Sequence, residues 1–201
     1  MTLEESFSLL RSSCGAEPSK FEALYNEVVS SPVNITAIKT REDFFLKHIF
    51  DSIYIFTLRK IDFINAADIG SGGGFPGIPI SIFYPERRVA LVESILKKCR
   101  FLENCALKLP LNNVDVINSR AENMKGGYDL ITARGVGRVK DVLNATLHLS
   151  RKNTVWLLYK GERAGEEVAE AAGIIKKRGI KSEIIRIEEP IKRSYLLLRY
   201  N

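Results

Sequence analysis

Hydrophobic positions along the chain follow two periods, and the change from one to the other divides it near residue 63. Before that point apolar residues recur at helical spacing. Leu3, Phe7 and Leu10 form one set, Phe21, Leu24 and Val28 a second, and Phe44, Phe45, Ile49, Ile53 and Phe56, with His48 among them, a third. Steps of three and four place such residues on one face of a helix, which predicts helices over 3–14, 19–30 and about 41–59. Pro18 stands where a first helical turn tolerates it, and Ser30-Ser31-Pro32 ends the second helix. Residues 33–38 read as an extended or turn segment. The helical preface is expected to pack on one edge of the sheet that follows.

From residue 65 short runs of Val, Ile, Leu and Tyr alternate with helical patterns. Strands are predicted over 65–70, 88–93, 113–118, 128–133 and 154–159, with helices over 77–84, 94–109, 138–149 and 162–178 between or after them. Such alternation predicts a parallel sheet with right-handed crossovers. The end differs, because 182–188 and 194–200 are joined only by Glu189-Pro190-Ile191-Lys192-Arg193. A link that short permits only an antiparallel pair. The expected fold is therefore α/β and Rossmann-like: a mostly parallel seven-stranded sheet closed by an antiparallel hairpin strand. A helical extension, 1–62, would precede the main domain, 63–201.

The first predicted strand ends in Asp68 and breaks into five glycines within eight residues, Gly70-Ser71-Gly72-Gly73-Gly74-Phe75-Pro76-Gly77. Strand, glycine loop and helix open a nucleotide-type site in an open α/β sheet. Two frames fit. Gly72, Gly74 and Gly77 match the dinucleotide pattern G-x-G-x-x-G, with Glu93 about one strand further on. Asp68, Gly70, Gly72 and Gly74 instead match D-x-G-x-G-x-G, the first motif of S-adenosylmethionine (SAM) methyltransferases. The carboxylate two residues before the first glycine, and the terminal hairpin, favour the second frame.

Charge sharpens this picture. The chain of 201 residues carries a formal +6, but residues 1–62 hold seven Lys/Arg against nine Asp/Glu. The excess of positive charge therefore lies in 63–201, as a polyanionic partner such as nucleic acid would require. An apolar fraction of 45% supports a core, and no run of eighteen apolar residues exists to span a membrane. The acidic start, Met1-Thr2-Leu3-Glu4-Glu5, is unlike a signal peptide, which predicts a cytoplasmic protein. Cys14, Cys99 and Cys105 match no metal spacing and read as free thiols, and two histidines are too few for a zinc site.

Candidate chemistry falls after the strand ends. Glu93 can accept hydrogen bonds from ribose hydroxyls. In Ser119-Arg120-Ala121-Glu122 the Ala121 or Glu122 N–H and the Glu122 carboxylate can read an adenine edge, while Ser119 and Glu122 also form a capping-box pattern. Arg134 can fork onto a cofactor carboxylate or a phosphate. Cations for RNA are Lys97, Lys98, Arg100, Arg138, Lys140 and Lys160, with Arg138 and Lys160 best placed because strands end at the ligand edge. His48 and Asp51, one helical turn apart, read as a structural contact bracing the preface against the loop.

Several of these segments together resemble the bacterial small-subunit rRNA methyltransferase G family, also called glucose-inhibited division protein B. The landmarks are Asn34-Ile35-Thr36-Ala37, His48-Ile49-Phe50-Asp51-Ser52, Asp68 to Pro79 with its Phe-Pro-Gly-Ile-Pro ending, Ser119 to Glu122, Tyr128 to Arg134, and Leu158-Tyr159-Lys160-Gly161. Departures are Ser30-Ser31-Pro32-Val33, where the family usually carries a Trp-Asn pair, and the stretch after Gly161. The resemblance implies SAM-dependent methylation of N7 of a guanine in 16S rRNA, on the free RNA or the small ribosomal subunit. It implies cofactor contacts at Gly70, Phe75, Ala121, Glu122 and Arg134, to which the glycine frame and the strand ends add Gly72, Gly74 and Glu93. Asn34 and Arg134 are expected to position the guanine, with no general base, no metal and a monomeric protein. An NAD(P)-dependent oxidoreductase and a non-catalytic rRNA-binding factor are the competing readings.

Overall fold

The structure, a computed structural model, describes residues 18–32, 35–38 and 40–201. The helix predicted over 3–14 and the candidate Asn34 lie outside these residues. Seven strands form one sheet: β1 (Asn65–Ile69), β2 (Arg88–Glu93), β3 (Val114–Asn118), β4 (Tyr128–Arg134), β5 (Ser150–Lys160), β6 (Ile180–Ile187) and β7 (Arg193–Tyr200). Their order is β3-β2-β1-β4-β5-β7-β6, and β7 runs antiparallel between β5 and β6. The other pairings, β1 with β2 and β4, β2 with β3 and β4 with β5, are parallel. All predicted strands of the sheet are present.

The helices are α1 (Pro18–Val29), a composite α2 over 41–58, α3 (Gly77–Phe83), α4 (Leu96–Lys108), α5 (Val139–Thr146), α6 (Ala164–Glu170) and α7 (Ala172–Lys177). The predicted long helix over 41–59 is α2, but Phe45–Phe50 within it winds as a π-helix. The single helix predicted over 162–178 divides into α6 and α7 at Ala171, two residues before Gly173, a weak helix former in the first turn of α7.

Side chains alternate along the strands, so Leu157, Tyr159, Tyr195 and Leu197 face one side and Trp156, Leu158, Leu196 and Leu198 the other. A mostly parallel sheet must be covered on both faces. The first face is covered by α1, α2, α3 and α4 through Leu24, Ile49, Ile53, Ile78 and Leu102. The second is covered by α5 through Val139, Val142 and Leu143. The described helices of the preface, α1 and α2, therefore lie on a face of the sheet and not on its edge, as periodicity within them could not reveal. Tyr159 and Tyr195 fasten α2 there, donating hydroxyl hydrogen bonds of 2.6 and 2.9 Å to the backbone carbonyls of Ser52 and Asp51. The parallel strands β1 to β5 all end at one edge of the sheet, where the candidate residues gather.

Candidate functional site

The glycine loop between β1 and α3 is packed closely except at one point. A Cβ at Gly73 would lie 2.4 Å from Ile35, and one at Gly77 would lie 2.2 Å from Leu91 and 2.8 Å from the Asp68 carboxylate. Gly72, at φ +56°, is different: a Cβ there would meet only the Gly70 carbonyl, at 3.7 Å. It has both the left-handed backbone that glycine tolerates and an open face by which a ligand can approach. Gly70 and Gly74 also have positive φ and hold the loop's curvature on either side.

Asp68 is almost fully buried and takes no part in that open face. It accepts 2.8 Å from Thr132 Oγ1 and 3.2 Å from the Gly77 N–H, clamping the end of the loop to β4. Its carboxylate thus occupies the first N–H of α3, and every residue of α3 is buried. A dinucleotide pyrophosphate needs that helix N-terminus free, so the dinucleotide frame does not fit this site. Glu93, at the end of β2, accepts 3.0 Å from the Gly72 N–H and 2.9 Å from the Ile95 N–H. Each of its oxygens keeps a second lone pair, placed beside the open side of Gly72. The open backbone at Gly72 and the paired acceptor of Glu93 fit a nucleoside with free ribose hydroxyls.

On the far side of Glu93, Ser119 N–H donates to the Glu93 carbonyl at 3.1 Å. Ala121 is buried and Glu122 exposed on a short 3-10 turn, Ala121–Asn123. The capping-box reading fails here. The Ser119 hydroxyl donates to the Arg120 carbonyl at 2.9 Å, and Arg120 is the residue that precedes the turn.

Arg134, at the end of β4, reaches back into α2. It donates 3.1 Å to the Lys47 carbonyl, 3.1 Å to Asp51 Oδ2 and 3.0 Å to His48 Nδ1, and its guanidinium lies 5.4 Å from the centre of the Phe75 ring. Three of its five N–H groups are used and two remain. Phe75 is itself buried and stacked on His48 at 4.2 Å, so its ring is part of this support. Because arginine can only donate, His48 Nδ1 must accept and the ring proton sits on Nε2, 2.7 Å from Thr36 Oγ1. Thr36 in turn accepts from the Ile38 N–H at 3.1 Å. The expectation that His48 and Asp51 brace the preface against the loop holds, with Arg134 as the third member.

Asp51 is the hub of this network and is fully buried. Besides Arg134 it takes both ends of the Arg193 guanidinium, at 2.7 and 2.6 Å, from the start of β7. Arg193 is not legible in the sequence, where it reads as part of a turn. A carboxylate on the apolar stripe of α2, two residues from Ile49 and Ile53, is the feature that demanded a cationic partner. The partners of this hub face a cavity of about 580 Å³ lined by His48, Arg134, Gly135, Tyr159, Lys160 and Arg193, among others.

Two predicted RNA cations are paired with carboxylates of the protein itself. Lys160 is buried, its ammonium 2.8 Å from both the Gly137 carbonyl and Glu167. Arg138 is exposed, but it holds Glu170 at 2.8 and 2.9 Å while its N–H bonds Asp141.

His48 links this site to pH. Burial, and then the charge of Arg134, push its pKa down from 6.5 to about 3. Between those values the unfolded chain binds a proton that the native state refuses, so this contribution to stability is lost as pH falls from 6.5. Asp68 acts in the opposite sense, because burial raises its carboxyl from 3.8 to about 6 against the hydrogen bonds of Thr132 and Gly77. The two offset one another between about pH 4 and 6 in the native chain. Comparison with His48→Gln separates them: the stability cost of that substitution should shrink steadily as pH drops below 6.5. Urea unfolding of both proteins from pH 7 to 4 measures it, and a cost independent of pH would refute the assignment.

The same fold is found in solved methyltransferases. An O-methyltransferase from Bacillus cereus in complex with SAH superposes with a TM-score of 0.65 at 15% identity, covering 92% of each chain. The SAH-bound Podospora anserina methyltransferase PaMTH1 gives 0.64 at 14%, covering 98% of this chain and 94% of that one. Sheet order, glycine cradle and strand-end carboxylate together define a SAM-dependent methyltransferase. The model of the family described as rRNA small subunit methyltransferase G matches residues 19–194. A protein named ribosomal RNA small subunit methyltransferase G from Carboxydothermus hydrogenoformans is 35% identical over 169 residues, covering 80% of this chain and 72% of its own. One of the same name from Oceanobacillus iheyensis is 33% identical over 188 residues, covering 89% and 79%. The chain belongs to this family.

Proposed function

We propose that this enzyme transfers a methyl group from SAM to N7 of a guanine in small-subunit (16S) ribosomal RNA, acting as a cytoplasmic monomer. When bound, SAM supplies an electron-poor methyl group on a sulfonium. Glu93 accepts the ribose hydroxyls, Gly72 admits the cofactor to the backbone while Gly70 and Gly74 hold the loop in the curvature that exposes it, and Ala121 and Glu122 meet the adenine edge. The two remaining N–H groups of Arg134 take a carboxylate. Within the helical extension, 1–62, Lys47, His48 and Asp51 hold Arg134 in place, and Ile35 packs on Gly73 of the loop; Asn34 is assigned to positioning the guanine.

The observation that carries the choice of N7 is the state of the bases around the cavity. His48 has both nitrogens engaged, Asp51 is held by two arginines, and Asp68 is sealed under the loop. None is poised to remove a proton, and purine N7 has an in-plane lone pair with no proton to remove. Such a reaction rests on orientation, which can supply about 7–11 kcal/mol of the barrier. Labelled methyl transfer to deproteinised rRNA and to intact small subunits, with the modified base mapped by reduction and strand scission, tests the reading. Label on a carbon or on an exocyclic nitrogen would refute it. Glu93→Gln keeps one acceptor and loses the charge, so SAM should bind roughly tenfold more weakly by calorimetry, the worth of one charged hydrogen bond.

A further inference from the structure

The cations best placed by topology, Lys160 and Arg138, are bonded to Glu167 and Glu170. Arg134 and Arg193 are committed to Asp51. The opposite flank of Glu93 differs. There α4 begins three residues after Glu93, and its start is tied to that carboxylate through the Ile95 N–H. Lys97 and Arg100 are exposed and Lys98 is half-exposed, and among the described residues none of the three forms an ion pair. Arg120 is exposed nearby, two residues beyond Asn118, whose amide bonds Cys99 of the same helix.

This placement is unfavourable for the protein alone. The first turn of α4 carries no acidic residue, and its lysines stand at the positive end of the helix dipole, where carboxylates belong. Lys97 and Arg100, three residues apart, repel one another on one face. Both line a groove of about 360 Å³ that continues along Asn104 and Lys108 to Glu27 and Pro32 of the preface. At the far end Glu27 neutralises Lys108 at 2.9 Å, so the unpaired cations of the groove lie at the end beside Glu93.

We propose that Lys97, Lys98 and Arg100 form the surface on which backbone phosphates of the RNA substrate lie beside the cofactor site. This rests on the ribosomal RNA reading above. It reverses the ranking that topology gave, because the phosphate contacts move from the β4–β5 flank to the β2 flank. Phosphates would supply the counter-charge that Lys97, Lys98 and Arg100 lack, and phosphate contacts make binding fall steeply with salt.

The test is binding of deproteinised small-subunit rRNA across a salt series by the wild-type protein and by the triple variant Lys97→Gln, Lys98→Gln, Arg100→Gln. The slope of log K against log salt should fall by roughly two to three, about 0.7–0.9 for each phosphate contact removed. SAM affinity by calorimetry should stay within twofold, and Lys140→Gln, on the other flank, should leave the slope in place. An unchanged slope in the triple variant would overturn the proposal. So would a slope lost in Lys140→Gln alone, or a loss of SAM binding, which would make the patch part of the cofactor site. If the triple variant does not fold, Lys97→Gln by itself should lower the slope by about 0.7–0.9, and no change would be equally decisive. The slope is read whether or not a methyl group is transferred, so this proposal and the rRNA methylation reading fail on separate measurements.

Discussion

Asp51→Ala is expected to cost the fold about 3–5 kcal/mol, the usual penalty for removing one partner from a buried ionic cluster. The carboxylate is fully buried and is the shared counter-charge of Arg134 and Arg193, which come from strands far apart in sequence. Its removal leaves two guanidiniums beside one another. Arg193, with 24% of its side chain exposed, can recover some hydration, which places the effect toward the lower end. The backbone staples from Tyr159 and Tyr195 use main-chain carbonyls and survive the substitution, so the loss reports charge and not detachment of α2. Asp51→Asn, which keeps the size and one acceptor, should lie between wild type and alanine. Chemical denaturation measures all three, and an alanine variant within 1 kcal/mol of wild type would show that the arginines find other partners.

The sheet was legible because its signal is local. Each parallel strand is a short apolar run, each crossover has helical period, and the brief link before β7 dictates an antiparallel partner. Where the reading departs from the structure, the deciding contacts are remote in sequence. The preface lies on the face and not the edge because Tyr159 and Tyr195 reach Ser52 and Asp51, more than a hundred positions away. The split between α6 and α7 and the π-helical stretch of α2 depend on packing that periodicity does not encode.

The site divides in the same way. Gly72 and Glu93 follow from the order strand, loop, helix, and they meet as that order requires. The Phe75 ring has a part that its motif does not show, since it supports His48. The counter-ions are the least legible feature. Strand order ranked Arg138 and Lys160 above the other cations, but Glu167 and Glu170 on α6 fold back against them. A charge seen in sequence is available to a partner only if the tertiary structure has not already spent it.

Arg134→Ala should lower the rate of methyl transfer about 100-fold while leaving most of the protein's stability intact. The residue joins three elements: β4 carries it, α2 receives it at the Lys47 carbonyl, His48 and Asp51, and Phe75 of the glycine loop lies under it. Without it Asp51 keeps Arg193, so no buried carboxylate is stranded, but His48 loses the donor that fixes its ring. Thr36 and the segment over Gly73 then lose their reference point, and misplacement by about 1 Å is enough for a rate loss of that size. Arg134→Lys should not restore the rate, because a single ammonium cannot reproduce a planar fork that meets three acceptors and leaves two N–H groups over. The pH dependence adds a second readout that a purely structural role would not move. Removing the guanidinium lifts one of the two causes depressing His48, so its ring should titrate at higher pH in the variant, as followed by NMR. An alanine variant with wild-type turnover and an unshifted His48 would remove Arg134 from the site.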